Sequence, residues 1–349
     1  MKTLTVHTSK EYDVLIGKGL LDRAGEEVVK RLHPAKAVIV TDSNVGPLYA
    51  ATVKRSLQAQ GIQAAVFSFP AGEAQKRLST IAQMYGVFAA TGLTRGDMAV
   101  ALGGGVTGDM CGFASATYLR GIPFVQIPTS LLAQVDSSVG GKTGVDLEVG
   151  KNLVGAFWQP SLVLCDTGVL STLPGRYFSD GMAEAIKAGC IKDKDLFARM
   201  ETEDVHGFLE DMIARCIDIK RQVVENDEKE QGERMLLNFG HTLGHAIERL
   251  HHYEGIAHGE AVAIGMVRAA LAGEKAGLTK PGTAARIEKV AKKFSLPTET
   301  RFSCEELAKA AFTDKKRSAS GVNFVLLHAI GDSFLRPIGL NDLESFIEI

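Results

Sequence analysis

In the first half of the chain, short apolar runs rich in β-branched residues alternate with stretches of helical period. The runs lie at 37–41, 64–69, 98–102, 124–127 and 162–165, each bounded by Gly, Pro or Asp. Runs of this length with helical segments between them predict βαβ units and a mainly parallel sheet. After about residue 170 nearly everything has helical period. Leu209, Met212, Ile213, Cys216 and Val223, for example, recur at three and four. The pattern therefore predicts an α/β domain over 1–170 with a Rossmann-like sheet, followed by an all-α domain over 171–349.

Two domains also suit the length. The 349 residues exceed the ~250–300 at which single cores stop growing. Lys and Arg total 39 against 41 Asp and Glu, a net charge of -2. That balance argues against a general binder of nucleic acid or anionic membranes. No apolar run approaches the ~18 residues of a membrane span, and the N-terminus lacks a secretory core. The five cysteines are widely spaced, with no Cys-x-x-Cys pair, and read as buried thiols in a reducing compartment. A cytoplasmic enzyme is the expectation.

The run at 98–102 leads straight into Gly103-Gly104-Gly105-Val106-Thr107-Gly108-Asp109. The spacing Gly-x-Gly-x-x-Gly opens backbone amides toward a pyrophosphate, although a tight strand-to-helix turn would look the same. The usual ribose-binding acid about 20 residues on is missing, since the next strand ends at Pro128-Thr129. Asp42, at the end of the run at 37–41, can take that part. Gly141-Lys142-Thr143 imitates the tail of a Walker A loop, but Asp136 stands where its first Gly belongs.

The segment 232–252 reads as one helix with two faces. Leu236, Leu243, Ile247 and Leu250 share a stripe with Gly240, while Arg234, Asn238, His241 and His245 line a second face at steps of four, three and four. A solvated face normally carries Lys, Glu and Gln, so this row points to a lined cavity. His241 and His245 at i, i+4 could reach one metal, yet the general base of a His-Glu-x-x-His hydrolase is missing. His258 opens an almost wholly apolar helix and is a further ligand candidate. Upstream, Ser179-Asp180 can cap a helix on which Glu184 and Lys187 pair at i, i+3, an arrangement most often found on the surface. Lys220 falls in an apolar stripe, where a charge needs an anionic partner.

The blocks Gly103 to Asp109, Pro128 to Gly144, Lys151-Asn152 and Asn238-Phe239-Gly240-His241-Thr242-x-Gly244-His245-Ala246 together resemble 3-dehydroquinate synthases. The resemblance implies an NAD-dependent homodimer requiring zinc or cobalt, with its active site in the cleft between the domains. Such an enzyme turns 3-deoxy-D-arabino-heptulosonate 7-phosphate into 3-dehydroquinate and phosphate in the shikimate pathway. The implied course is transient oxidation, β-elimination of phosphate, reduction, ring opening and an intramolecular aldol.

Position by position, the resemblance places the metal on Glu184, His241 and His258, which makes His245 a substrate contact. It places NAD at Asp42, Asn44, Glu73, Lys76, Gly104, Gly105, Val106, Thr107, Gly108, Asp109, Thr129, Ser130, Lys142, Lys151 and Thr172. Substrate contacts fall at Asp136, Lys142, Lys151, Asn152, Lys187, Lys220, Arg234, Asn238 and His245, with Arg120 reaching across the dimer and either Lys315 or Lys316 adding a cation. The alternatives are another sugar-phosphate cyclase such as 2-deoxy-scyllo-inosose synthase, a metal-dependent polyol dehydrogenase of the glycerol dehydrogenase type, and a catalytically silent NAD-binding regulator. The first would need different contacts at Lys220, Arg234 and Asn238, and the second has no use for so many phosphate-binding cations.

Overall fold

The computed structural model describes residues 1–311, 321–339 and 341–348. It divides into two compact units, Met1–Pro174 and Gly175–Ile349. The first unit holds strands β1 (Lys2–Val6), β2 (Tyr12–Gly17), β3 (Lys36–Asp42), β4 (Gln63–Phe69), β5 (Met98–Gly103), β6 (Phe124–Pro128), β7 (Lys142–Leu147), β8 (Gly150–Phe157) and β9 (Leu162–Asp166). Its helices are α1 (Ala24–Val29), α2 (Gly46–Ala59), α3 (Leu78–Thr91) and α4 (Gly105–Thr117). Seven strands form one sheet in the order β1-β2-β9-β6-β5-β3-β4. Only β1 runs antiparallel to its neighbour.

Alternation along the central strands explains the layers. Ala37, Ile39, Met98, Val100 and Leu102 point into one core with α1 and α2, through Val28, Val53 and Leu57. Val38, Val40, Ala99 and Ala101 point into the opposite core with α3 and α4, through Met84, Phe88, Met110 and Phe113. A strand buried on both faces reads as a continuous apolar run, which is why these strands were visible in the sequence. The chain winds outward from β3 to β4, returns to β5 beside β3, and continues the other way to β6. Winding therefore reverses between β3 and β5, and in open α/β sheets ligands bind at the carboxyl ends of strands at such a reversal.

The hairpin β7–β8 stands apart from this sheet. It grows out of Gly140-Gly141-Lys142, whose glycines both have positive φ (97° and 67°).

The second unit is mainly helical: α5 (Gly175–Lys192), α6 (Lys194–Thr202), α7 (Leu209–Asn226), α8 (His241–Leu250), α9 (His258–Lys275), α10 (Thr283–Lys293), α11 (Cys304–Ala311) and α12 (Leu343–Ile347). Three readings are corrected here. The unit is not all-α, because β10 (Val322–Ala329) and β11 (Asp332–Ile338) form an antiparallel hairpin. The run Val322 to Leu327 is apolar enough for either element, and Gly331, with φ of 89°, turns it back on itself. Ser179 and Asp180 lie inside α5 rather than capping it; the Asp180 carboxylate instead accepts from the Gly259 amide at the start of α9 (2.5 Å).

Third, residues 232–252 are not one helix. A 3-10 turn over Glu233–Asn238 ends at Phe239, and α8 starts only at His241. Gly240 makes the break with φ of 79°. A Cβ there would lie 2.6 Å from Met266 Cγ and 2.8 Å from the Val262 carbonyl oxygen. Only glycine lets the chain turn so close to α9.

Candidate active site

In the first unit the glycine loop lies at the winding reversal. Gly104 is the N-cap of α4, and no side chain caps the helix, so the loop presents backbone amides at the positive end of the helix dipole. Thr129 donates its amide to the Gly103 carbonyl (2.9 Å), which brings the end of β6, and Ser130 with it, to the loop. Asp42, at the end of β3, accepts from the Asn44 and Val45 amides through Oδ1 (2.8 and 3.0 Å). Its Oδ2 accepts from Thr107 Oγ1 at 3.4 Å. The ribose-binding acid suspected at a displaced strand end thus sits beside the loop, because β3 and β5 are sheet neighbours.

Thr107 and Gly108 serve the loop from beneath. Thr107 is buried, and the Gly108 amide is already bonded to the Gly104 carbonyl.

Five further predicted residues form one polar network. Buried Lys76 donates to Asp109 Oδ2 and to Asn152 Oδ1, both at 2.6 Å, and Lys151 lies 3.8 Å from Glu73 Oε1. Burial alone would lower the Lys76 ammonium's pKa, but the Asp109 and Glu73 charges outweigh it and raise it. Asn152 has φ of 53°, an uncommon conformation for a non-glycine residue. Asp146, not anticipated from sequence, holds it there by accepting from the Asn152 amide (2.6 Å).

Other predicted residues stand outside these groups. Val106 is half-buried in the first turn of α4, Asp136 lies in the helical turn Ala133–Ser137, and Asn44 is exposed. Lys142 is exposed at the start of β7. Thr172 pairs with Tyr49, and Arg120 lies in an exposed turn with φ of 67°. Lys315 and Lys316 lie outside the described residues.

The second unit gathers Glu184 from α5, His241 from the first turn of α8 and His258 from the first turn of α9. His241 Nε2 lies 3.4 Å and His258 Nε2 3.6 Å from Glu184 Oε1. One donor atom from each of the three lies within 4.8 Å of those of the other two. Glu184 and Lys187 do form the expected i, i+3 ion pair. Both are buried, so the surface reading of this pair is corrected.

Burial would raise the Glu184 carboxyl, but Lys187 and His258 outweigh it and hold it down at about 2. Burial, with the Lys187 charge, keeps His241 well below the usual imidazole range and therefore neutral. Its Nδ1 faces the Phe239 carbonyl at 3.2 Å, which leaves Nε2 as the donor atom. A buried carboxylate and two imidazoles, each with its outer nitrogen facing an oxygen, form a donor set that fits a divalent ion such as zinc.

Beside this set stands His245, whose ring centroid is 5.5 Å from that of His241, and the same unit holds buried Lys220 and Arg234. Arg234 donates to the Glu228 carbonyl, and its amide to Asp227 Oδ2 (3.1 Å). Asn238 donates to Glu230 Oε1 (2.9 Å).

The family model for the N-terminal part of 3-dehydroquinate synthase matches residues 66–180, and that for the C-terminal part matches 181–317. This chain belongs to the 3-dehydroquinate synthase family. It is 49% identical over 341 residues to the 3-dehydroquinate synthase of Clostridium perfringens (strain 13 / Type A), covering 96% of this chain and 97% of that one. It is 43% identical to that of Clostridium acetobutylicum over the whole of both chains.

Among solved structures it resembles 2-deoxy-scyllo-inosose synthase complexed with carbaglucose-6-phosphate, NAD+ and Co2+, at a TM-score of 0.89 and 27% identity over 99% of both chains. It also resembles the 2-epi-5-epi-valiolone synthase of Streptomyces hygroscopicus with NAD+ and Zn2+, at a TM-score of 0.86 and 27% identity over 99% of this chain and 98% of that one. Glycerol dehydrogenase of Schizosaccharomyces pombe, 14% identical over 96% of this chain and 87% of that one with a TM-score of 0.62, shares the fold.

For a 3-dehydroquinate synthase, sequence reasoning overlooked Asp146, Asp227, Glu230 and Glu248. Asp146 lies in β7, Asp227 and Glu230 in the loop after α7 and Glu248 in α8, and spacing alone reads such acids as solvated. None of the four is directly beside a predicted site residue in the sequence, so no local signal pointed to them.

Proposed function

We infer that the protein is a 3-dehydroquinate synthase, a phosphorus–oxygen lyase of the shikimate pathway. It converts 3-deoxy-D-arabino-heptulosonate 7-phosphate to 3-dehydroquinate and phosphate. The observation that carries this reading is the set of buried Glu184 and His241 with half-buried His258, in the same unit as buried Lys187, Lys220 and Arg234. A simple polyol oxidation needs the first set, whereas a substrate with both a carboxylate and a phosphate also needs the second.

The family's enzymes use NAD and a divalent metal, which supply a reversible oxidation and a Lewis acid. Residues 1–170 hold the cofactor: Asp42 takes the ribose hydroxyls, and Gly104, Gly105 and Val106 with Thr129 and Ser130 take the phosphates. Asn44, Glu73, Lys76, Asp109, Lys151 and Thr172 flank them, with Thr107 and Gly108 supporting the loop. Residues 171–349 hold the metal.

Lys142, Lys151, Asn152, Lys187, Lys220, Arg234 and Asn238 bind the substrate's anionic ends and hold the leaving phosphate near the carbon that loses its proton. Asp136 and His245 accept hydrogen bonds from the sugar hydroxyls. Neutral His241 and ionised Glu184 are in the protonation states that metal ligands require. Burial would lower the pKa of His258, but Glu184 and Glu248 outweigh it and hold it up at about 10, so this ligand would release its Nε2 proton when an ion binds. In this reading the enzyme is a cytoplasmic homodimer in which Arg120 reaches the partner's substrate. No helix among the described residues is long and apolar enough to cross a membrane.

A limiting-cofactor assay tests the reaction. With the heptulosonate phosphate, Zn2+ and catalytic NAD+, phosphate release exceeds NAD many-fold with no net NADH. Stoichiometric NADH, read at 340 nm, would instead make the protein a polyol dehydrogenase.

A further inference from the structure

Three links meet at the start of α9, and they divide the work of placing His258. The Asp180 carboxylate accepts from the Gly259 amide (2.5 Å) and the Glu260 carboxylate accepts from the Ala257 amide (2.8 Å). Together they fix the backbone on both sides of His258. Arg176 from α5 grips Glu260 with two hydrogen bonds of 2.8 Å, which ties that backbone to the helix carrying Glu184. These contacts act on the backbone and not on the imidazole.

The third link acts on the ring. His258 Nδ1 lies 3.4 Å from Glu248 Oε2, while its Nε2 faces Glu184. Glu248 is buried, on the last turn of α8, and its side chain is 5% exposed against 32% for that of His258. A buried carboxylate is costly unless it is paired, and His258 is a partner for this one.

We propose that Glu248 is a positioning residue for the metal centre: it accepts the Nδ1 proton of His258, fixes the tautomer that leaves Nε2 as the donor, and makes that nitrogen more basic. Carboxylates in this outer position typically change metal affinity by about 10- to 100-fold. The proposal rests on the metal reading of Glu184, His241 and His258. It opposes one geometric alternative, in which Glu248 joins His245 and His258 as a direct ligand, since those three also come within 4.8 Å of one another.

The test is zinc affinity by competition with a chromophoric chelator, on full-length protein whose fold is checked by circular dichroism and thermal denaturation. The parent protein binds one zinc and His258→Ala binds none. A parent that binds no zinc would remove the metal reading and this proposal with it. Glu248→Gln keeps one zinc per chain at an affinity lowered about 10- to 100-fold, with unchanged NAD affinity. Glu248→Asp keeps the charge at shorter reach and recovers part of the loss; it decides the matter should the Gln variant fail to fold. In the cobalt-substituted protein, the visible bands of both variants shift without the change in intensity that marks loss of a ligand. Zinc affinity within twofold of the parent in both variants would overturn the proposal. Loss of zinc as complete as in His258→Ala would also overturn it, making Glu248 itself a ligand.

Discussion

The two units assemble their chemistry in opposite ways. In the first, the proposed cofactor half is made of backbone: a contiguous glycine loop between β5 and α4, with the ends of β3 and β6 brought alongside by sheet order. In the second, the proposed metal half is made of side chains from α5, α8 and α9, with Glu184 and His241 buried and His258 half-buried, each placed by a different helix. A backbone site depends on the shape of the fold around it, so damage there should appear as lost stability. A side-chain site depends on single donor atoms, so damage should appear as lost chemistry on an intact fold.

The largest expected effect is on the side-chain half. His258→Ala leaves two ligands, which hold the ion poorly, and should abolish metal content and synthase activity. NAD affinity and the melting temperature of the metal-free protein should stay close to the parent values. Elemental analysis and calorimetry read these separately, and a protein with full metal content would sink the ligand assignment.

The backbone half should respond the other way. A Cβ on Gly103 would lie 2.4 Å from Thr107 Oγ1 and 2.7 Å from its Cβ. Thr107 is buried and β-branched, so it has little freedom to move aside. Gly103→Ala should cost about 1–3 kcal/mol by overpacking and weaken NAD binding as the loop is pushed outward. Thermal denaturation and NAD titration measure both, with zinc affinity as the control. An unchanged melting temperature would mean that the loop is more compliant than the packing around Gly103 implies.

The same contrast explains what was legible in the sequence. The doubly buried strands and the glycine loop are local and contiguous, so period and spacing disclosed them. Asp42 needed one further step, because only the β3–β5 adjacency puts it at the loop. In the second unit, spacing showed that His241 and His245 share a helix but not that Gly240 ends the preceding turn, since glycine fitted the apolar stripe equally well. Glu184 and Lys187 looked like a surface pair because i, i+3 spacing carries no information about burial. Their place in a metal and substrate site came through resemblance to a family rather than through periodicity, whereas His258 already stood out as a ligand candidate at the start of an apolar helix. The β10–β11 hairpin was missed for a simpler reason: a short apolar run does not tell a strand from a helix.

The smallest expected effect sharpens the comparison by asking whether each half has a carboxylate supporting it in the same way. Asp97, just before β5, accepts from the Thr94 amide and hydroxyl and from the Lys36 amide (2.7, 2.8 and 2.7 Å). Asp227, just before the Arg234 turn, accepts from the Gln231, Gly232 and Arg234 amides (2.9, 2.7 and 3.1 Å). Burial opposes ionisation in both, but the donated hydrogen bonds outweigh it and lower both pKa values. A carboxylate with a lowered pKa in the folded state contributes stability above its ordinary value, near ~4. That contribution is lost as pH falls through the lowered value. Each Asp→Asn variant should therefore be less stable than the parent at neutral pH, with the gap narrowing below pH ~4 as the parent's carboxylate protonates. The functional readouts should diverge. Asp97→Asn should leave substrate affinity unchanged, whereas Asp227→Asn should raise KM for the sugar phosphate several-fold, because its loop positions the Arg234 guanidinium. Equal KM values in the two variants would show that Arg234 is held by its own burial rather than by Asp227.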